Sequence, residues 1–146
     1  MIRLAALDIK DLEVISALVQ DSVLKAEDIS RSKSGTFALE INRFAWDKAP
    51  PKFFGKALAN SSERRRSILH FTRVTDAKMI GISKSKPDEI LSLLGVRFMP
   101  SEIPSGTIEL LFSGNASIRL IVECIECQLT DTGAAWAALA TPKHSI

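Results

Sequence analysis

The chain has 146 residues, 46% hydrophobic and 25% charged, a composition that supports folding without disulfides or metals and excludes wholesale disorder. Nineteen Lys and Arg against seventeen Asp and Glu leave a net charge of +2, too balanced to mark a nucleic-acid binder by charge alone. No apolar run reaches the roughly 20 residues that span a bilayer, and an acid at Asp8 cuts short any export signal, so with only 2 cysteines the expected compartment is the reducing cytoplasm.

Ile2, Leu4 and Ala6 alternate with Arg3 and Ala5, which predicts a short first strand. Asp8 stands where a helix N-cap belongs, with Asp11 in the first turn. Leu12, Ile15 and Val19 recur at helical spacing, widened by Val14 and Leu18, so residues 9–20 are predicted as an amphipathic helix that packs on a sheet. Beyond it the period changes from that of a helix to that of a strand. Strands are predicted over 23–29, 36–44, 66–74, 78–82, 90–98, 107–113 and 116–127. Gly114-Asn115 between the last two suits a type II′ hairpin turn. Asp131 is placed to cap a short final helix through Ala134–Leu139 that stops before Pro142. In that helix Trp136 is expected to plug one end of the sheet, and Trp136→Ala to cost about 3–5 kcal/mol.

Short links between strands imply antiparallel neighbours. The expected fold is therefore α+β: a predominantly antiparallel, strongly curved or barrel-like sheet of about seven or eight strands, with one N-terminal helix and a short C-terminal helix. The whole chain, 1–146, is read as a single domain. Within it, Ile29-Ser30-Arg31-Ser32-Lys33 is echoed by Ile82-Ser83-Lys84-Ser85-Lys86, which raises an internal duplication of 23–75 in 76–113.

Residues 47–66 break the strand rhythm. Lys48, Lys52, Lys56, Arg64, Arg65 and Arg66 against Asp47 and Glu63 give this stretch a local charge of +4. Pro50-Pro51 and Asn60-Ser61-Ser62 make it a long connection, and Phe53 and Phe54 sit inside it. Its plain reading is a solvated loop whose phenylalanines tuck onto the core. Its functional reading is a basic, aromatic-bearing finger, with Lys52, Phe53, Phe54, Arg64, Arg65 and Arg66 as candidate binding residues.

The catalytic and metal motifs are weak. Cys124-Ile125-Glu126-Cys127 matches C-x-x-C, but no second pair completes a zinc site, and on a strand its two sulfurs diverge. Of the two histidines, His70 alternates with apolar strand residues and His144 lies in the tail. The nucleophile elbow, the Walker loop and the dinucleotide fingerprint are absent. Glu123 and Glu126 fall in an apolar run, and one of them is expected to need a partner such as Arg97 or Arg119. No catalytic residue, metal or cofactor is assigned.

Several phrases occur together: Asn42-Arg43-Phe44-Ala45-Trp46, Arg64-Arg65-Arg66 before Leu69-His70-Phe71, Leu91-Ser92-Leu93-Leu94 and Pro104-Ser105-Gly106-Thr107. They continue in Ile118-Arg119-Leu120-Ile121-Val122-Glu123-Cys124-Ile125-Glu126, then Leu129, Asp131, Gly133, Ala135 and Trp136. The set resembles a family of short alphaproteobacterial proteins known as a domain of unknown function. The resemblance implies alanine as the common residue at position 127, which weakens any C-x-x-C chemistry, and it supplies no activity to carry over.

The residues point away from an enzyme and toward a non-catalytic cytoplasmic binding or adaptor domain. Its expected partner is a protein. The alternatives are a small-molecule enzyme built around His70, Glu123 or Arg119, and weak nucleic-acid binding through 47–66 and Arg73. No membrane partner is expected, and homo-oligomerisation is left open.

Overall fold

The computed structural model describes residues 1–44 and 64–134. In chain order the elements are β1 (Arg3–Ala6), α1 (Ile9–Val19), β2 (Ser22–Lys25), β3 (Ile29–Ser32), β4 (Thr36–Phe44), β5 (Arg64–Phe71), β6 (Val74–Ile80), β7 (Ile90–Pro100), β8 (Gly106–Phe112), β9 (Ser117–Val122) and β10 (Cys127–Ala134). All ten strands form one antiparallel sheet in the order β1-β10-β5-β4-β2-β7-β8-β9-β6, with β3 paired to β4. The sheet curls enough for β6, last in this order, to bond back to the β3–β4 turn, where Val74 N–H donates to Gly35 O at 3.0 Å. It does not close into a barrel.

The helix follows its sequence signals. The Asp8 carboxylate accepts the Asp11 N–H at 2.8 Å, as an N-cap should. Leu12, Ile15 and Val19 are buried, whereas Val14 is exposed, so the apolar stripe is narrower than the sequence implies. The helix lies along β7 at Val96, beyond the reach of β2, whose pairing with β7 covers Ile90–Leu93. There Val96 N–H finds Ser16 Oγ at 2.9 Å in place of a strand partner.

The described residues hold ten strands rather than the expected seven or eight because two predicted strands, 23–29 and 116–127, are each split in two, while a third, 66–74, gives up its end to the strand that follows. The run 23–29 is interrupted by a single tight turn at Ala26–Asp28, giving β2 and β3. The run 66–74 breaks at Thr72-Arg73, where Arg73 takes φ +62° and Thr72 gives its N–H to Glu126 O at 3.0 Å. The run 116–127 ends at Val122, and Cys127 starts a new strand. The Gly114-Asn115 turn has positive φ at both residues, 73° and 63°, so it is not the type II′ turn expected. Asn tolerates that conformation, which removes the need for Gly alone.

Asp131 and Ala134 lie in β10, so the expected cap and helix start are corrected. The rest of that helix, Trp136 included, falls outside the described residues, as do Lys52, Phe53 and Phe54. The echoed Ser/Lys segments occupy different settings: the first is β3 and its turn, the second joins β6 to β7. Both carry a 2.7 Å serine–serine hydroxyl bond, Ser32 to Ser34 and Ser83 to Ser85.

Core-facing residues of β4, β5 and β10 align in rows that change chemistry along the strands. Phe37, Phe71 and Cys127 form one row, and Leu39, Leu69 and Leu129 the next. Then come Ile41, Ser67 and Asp131, and after them Arg43 beside Arg65. The core thus turns polar at one end, where Arg43 is completely buried.

Candidate functional site

Two charged groups stand out, one inside the core and one on its outer surface. The inner one is Asp131. Arg43 grips its carboxylate with both arms, Nε to Oδ1 at 2.9 Å and Nη2 to Oδ2 at 2.8 Å. Ser67 Oγ donates to Oδ1 at 2.6 Å and Ile2 N–H to Oδ2 at 2.8 Å. Burial alone would raise the Asp131 pKa, but these donors and the Arg43 charge outweigh it and hold the pKa at about 2. With side-chain exposures of 0% and 1%, the Arg43–Asp131 pair cannot meet a ligand and serves to lock β1, β4, β5 and β10 together.

The outer group is a row across four adjacent strands: Arg97 on β7, Glu109 on β8, Arg119 on β9 and Lys78 on β6. Strand alternation puts Ile108 and Leu110 in the core and Glu109 on the other face. Glu109 is nonetheless only 3% exposed, because two guanidiniums roof it. Arg97 reaches Oε1 from Nη2 at 2.6 Å, and Arg119 reaches Oε2 from Nε at 3.0 Å. Burial would raise the Glu109 pKa, and the bonds and charges of Arg119 and Arg97 bring it below the ordinary value.

The two arginines remain 59% and 51% exposed, so one carboxylate serves two cations that both face solvent. Around them the register places Met99, Thr107, Ile121 and Asp76 in one flanking row, and Leu111, Ser117 and Ile80 in the other. Met99, Ile121 and Ile80 are exposed. This is a cationic row flanked by exposed aliphatic side chains and by Thr107, Ser117 and Asp76. Glu109→Gln is expected to lower stability by about 1–3 kcal/mol, because it leaves two close guanidiniums without a countercharge. A urea melt measures it, and an unchanged midpoint would show the row to be energetically idle.

The arginines expected to bind together do not form one patch. Arg64 lies over the Phe44 ring at 3.8 Å and donates to Asn42 O at 2.8 Å. Arg65 projects to the core side beside Arg43. Arg66 sits 3.5 Å from both Asp28 and Glu40. Glu123 pairs with Arg73 at 3.2 Å and Glu126 accepts from Thr72, so the expected pairing of either with Arg97 or Arg119 is corrected. The acid those arginines do take, Glu109, carries the same sequence signal: a lone carboxylate in the apolar run Ile108–Leu111.

His70 lies between Ala38 and Gln128 in the sheet, remote in register from the Arg119 row. Among the described residues no group of three or more His, Cys, Asp or Glu could hold a metal. No helix among them is long and apolar enough to cross a membrane. The C-x-x-C pair splits, with Cys124 half-buried in the β9–β10 turn and Cys127 buried in the core. Burial pushes the Cys127 thiol up to about 12. At pH 8 a thiol reagent should therefore label Cys124 alone until the protein is unfolded. Labelling of both in the native state would contradict this placement.

An apolar groove of about 600 Å³ runs between the start of α1 and the ends of β7 and β9, walled by Leu7, Ile9, Phe98, Ile103 and Ile125, with Cys124 at its side. No curated protein and no solved structure gives a significant match to this chain. A family model matches residues 2–144, nearly the full length, and the chain belongs to that family, a protein of unknown function (DUF2948).

Proposed function

We propose that this chain is a non-catalytic binding module, a single cytoplasmic domain of residues 1–146, that docks a protein partner on the outer face of β6, β7, β8 and β9. The observation that carries this reading is the Arg97–Glu109–Arg119 row, in which two half-exposed guanidiniums share one buried carboxylate. Arg119 spends only its Nε on Glu109 among the described residues, so both of its terminal nitrogens remain for an incoming acid. Exposed Met99, Ile121 and Ile80 supply the apolar surround that a protein interface needs. Arg66 and Arg73, by contrast, are engaged by Asp28, Glu40 and Glu123, which leaves less free charge for phosphates.

Affinity purification followed by direct binding of the recovered partner tests the reading. Arg97→Ser with Arg119→Ser should weaken that binding at least about tenfold, in line with the loss of charged interface anchors, with the fold intact by circular dichroism. The absence of any reproducible partner, or full affinity in the double variant, would overturn it.

A further inference from the structure

The sheet is open along a seam. Among the described residues, β6 on one side is paired only to β9, and β3 on the other only to β4. Their unpaired edges face each other. Val74 N–H bonds Gly35 O at 3.0 Å at one end, and Arg31 comes within 3.8 Å of Asp76 further along. Ile29 and Met79 share a cleft of about 260 Å³ at the other end. A second cleft of about 610 Å³ lies between Arg31–Gly35 and Val74-Thr75. Each unpaired edge offers a row of backbone donors and acceptors that an extended chain can take up.

Charge says which chain. Lys78, at the middle of β6, lies directly opposite Arg119 on β9, a like-charge pair across the ladder that is unfavourable as it stands. Neither Lys78 nor Lys33 has an ion pair among the described residues, and Arg31 and Lys84 add positive charge along the clefts against Glu27 and Asp76. An acid on a strand added outside β6 would sit beside Lys78 and relieve the repulsion. The lysine and the bulge between Val74 and Asp76 are also the devices that keep a sheet edge from pairing indiscriminately. Here they penalise basic strands and leave acidic ones favoured.

Building on the binding role proposed above, we propose that β6 is a strand-addition site: an extended, acidic segment of the partner pairs with its free edge, continuing the Arg97–Glu109–Arg119–Lys78 row by one more strand. The test uses a synthetic seven-residue peptide, Thr-Val-Glu-Val-Glu-Val-Thr with blocked ends, matched to the 7 residues of β6. In an amide NMR titration of the full chain it should shift and protect residues 74–80. Its Glu→Lys counterpart and a version N-methylated at alternate amides should each bind about tenfold weaker or worse, the latter because it cannot make the ladder. Lys78→Glu, an exposed change, should reverse the preference between the acidic and basic peptides.

Equal binding of the N-methylated peptide, with shifts confined to the Arg97 and Arg119 face, would overturn strand addition while leaving the face reading standing. Failure of every peptide to bind would overturn it too. So would protection of 74–80 without peptide in a protein of doubled mass, since the edge would then belong to a second copy. The face reading is judged separately, by the Arg97→Ser, Arg119→Ser variant.

Discussion

Asp131→Asn is expected to cost about 3–5 kcal/mol, the usual penalty for removing one partner of a buried, hydrogen-bonded ion pair. The cost arises because Arg43, with 0% side-chain exposure, would keep its charge and lose its carboxylate. Ser67 and the Ile2 N–H would lose their common acceptor at the same time. Replacing Arg43 by Met in the same chain should recover part of the loss, since no buried guanidinium is then deprived of the Asp131 charge.

The pH dependence has a defined sign. The Asp131 pKa is about 2 in the folded chain, against an ordinary value of 3.8. The carboxylate therefore stabilises the fold fully above about pH 5, and the benefit drains away as pH falls through 4 toward 2. That difference is worth about 2–3 kcal/mol. Denaturant melts should show wild type and Asp131→Asn far apart at pH 7 and converging toward pH 2.5. A gap that stays constant with pH would mean that the carboxylate is not the stabilising form.

Gly106→Ala carries the second large effect. A Cβ there would lie 2.6 Å from the Met99 carbonyl oxygen and 2.5 Å from the tip of the Phe98 ring. The ring can move, but the carbonyl belongs to the β7–β8 ladder, where Gly106 pairs with Pro100. The expected cost is about 2–4 kcal/mol, at the upper end of overpacking penalties because backbone must shift. Gly114→Ala is the control: its Cβ meets nothing within 4 Å, and its φ of +73° should cost only about 1 kcal/mol. Thermal or urea unfolding of the two variants should separate them clearly. Equal midpoints would mean that the ring covers Gly106 more loosely than the register implies.

What could be read from the chain was local. Asp8, Asp11 and the Leu12, Ile15, Val19 stripe encode α1 directly, because capping and apolar spacing act within one helix. The alternation of Phe37, Leu39 and Ile41 likewise encodes the core face of β4. The corner between β5 and β6 was not legible. No Gly or Pro marks Thr72-Arg73, and the bend is held by Glu126, more than fifty residues away. The β9–β10 break is hidden for a similar reason, since Val122–Cys127 reads as continuous strand until Thr72 and Arg73 engage Glu126 and Glu123.

The site shows the same division. Alternation exposes Arg97 and Arg119, but only the register of three strands brings both onto Glu109. A cluster of arginines in sequence, Arg64-Arg65-Arg66, is in contrast split by that same alternation onto two faces. Asp131, whose position suited a helix cap, proves to be the buried hub of four strands.

Hydrogen exchange on the purified complex with the recovered partner tests the proposed docking face most directly. Slowed exchange should map to 74–80, 95–100, 106–112 and 117–122, the strands that carry the Arg97–Glu109–Arg119–Lys78 row. Protection confined to β4, β5 and β10, with those four segments exchanging as in the free protein, would contradict it.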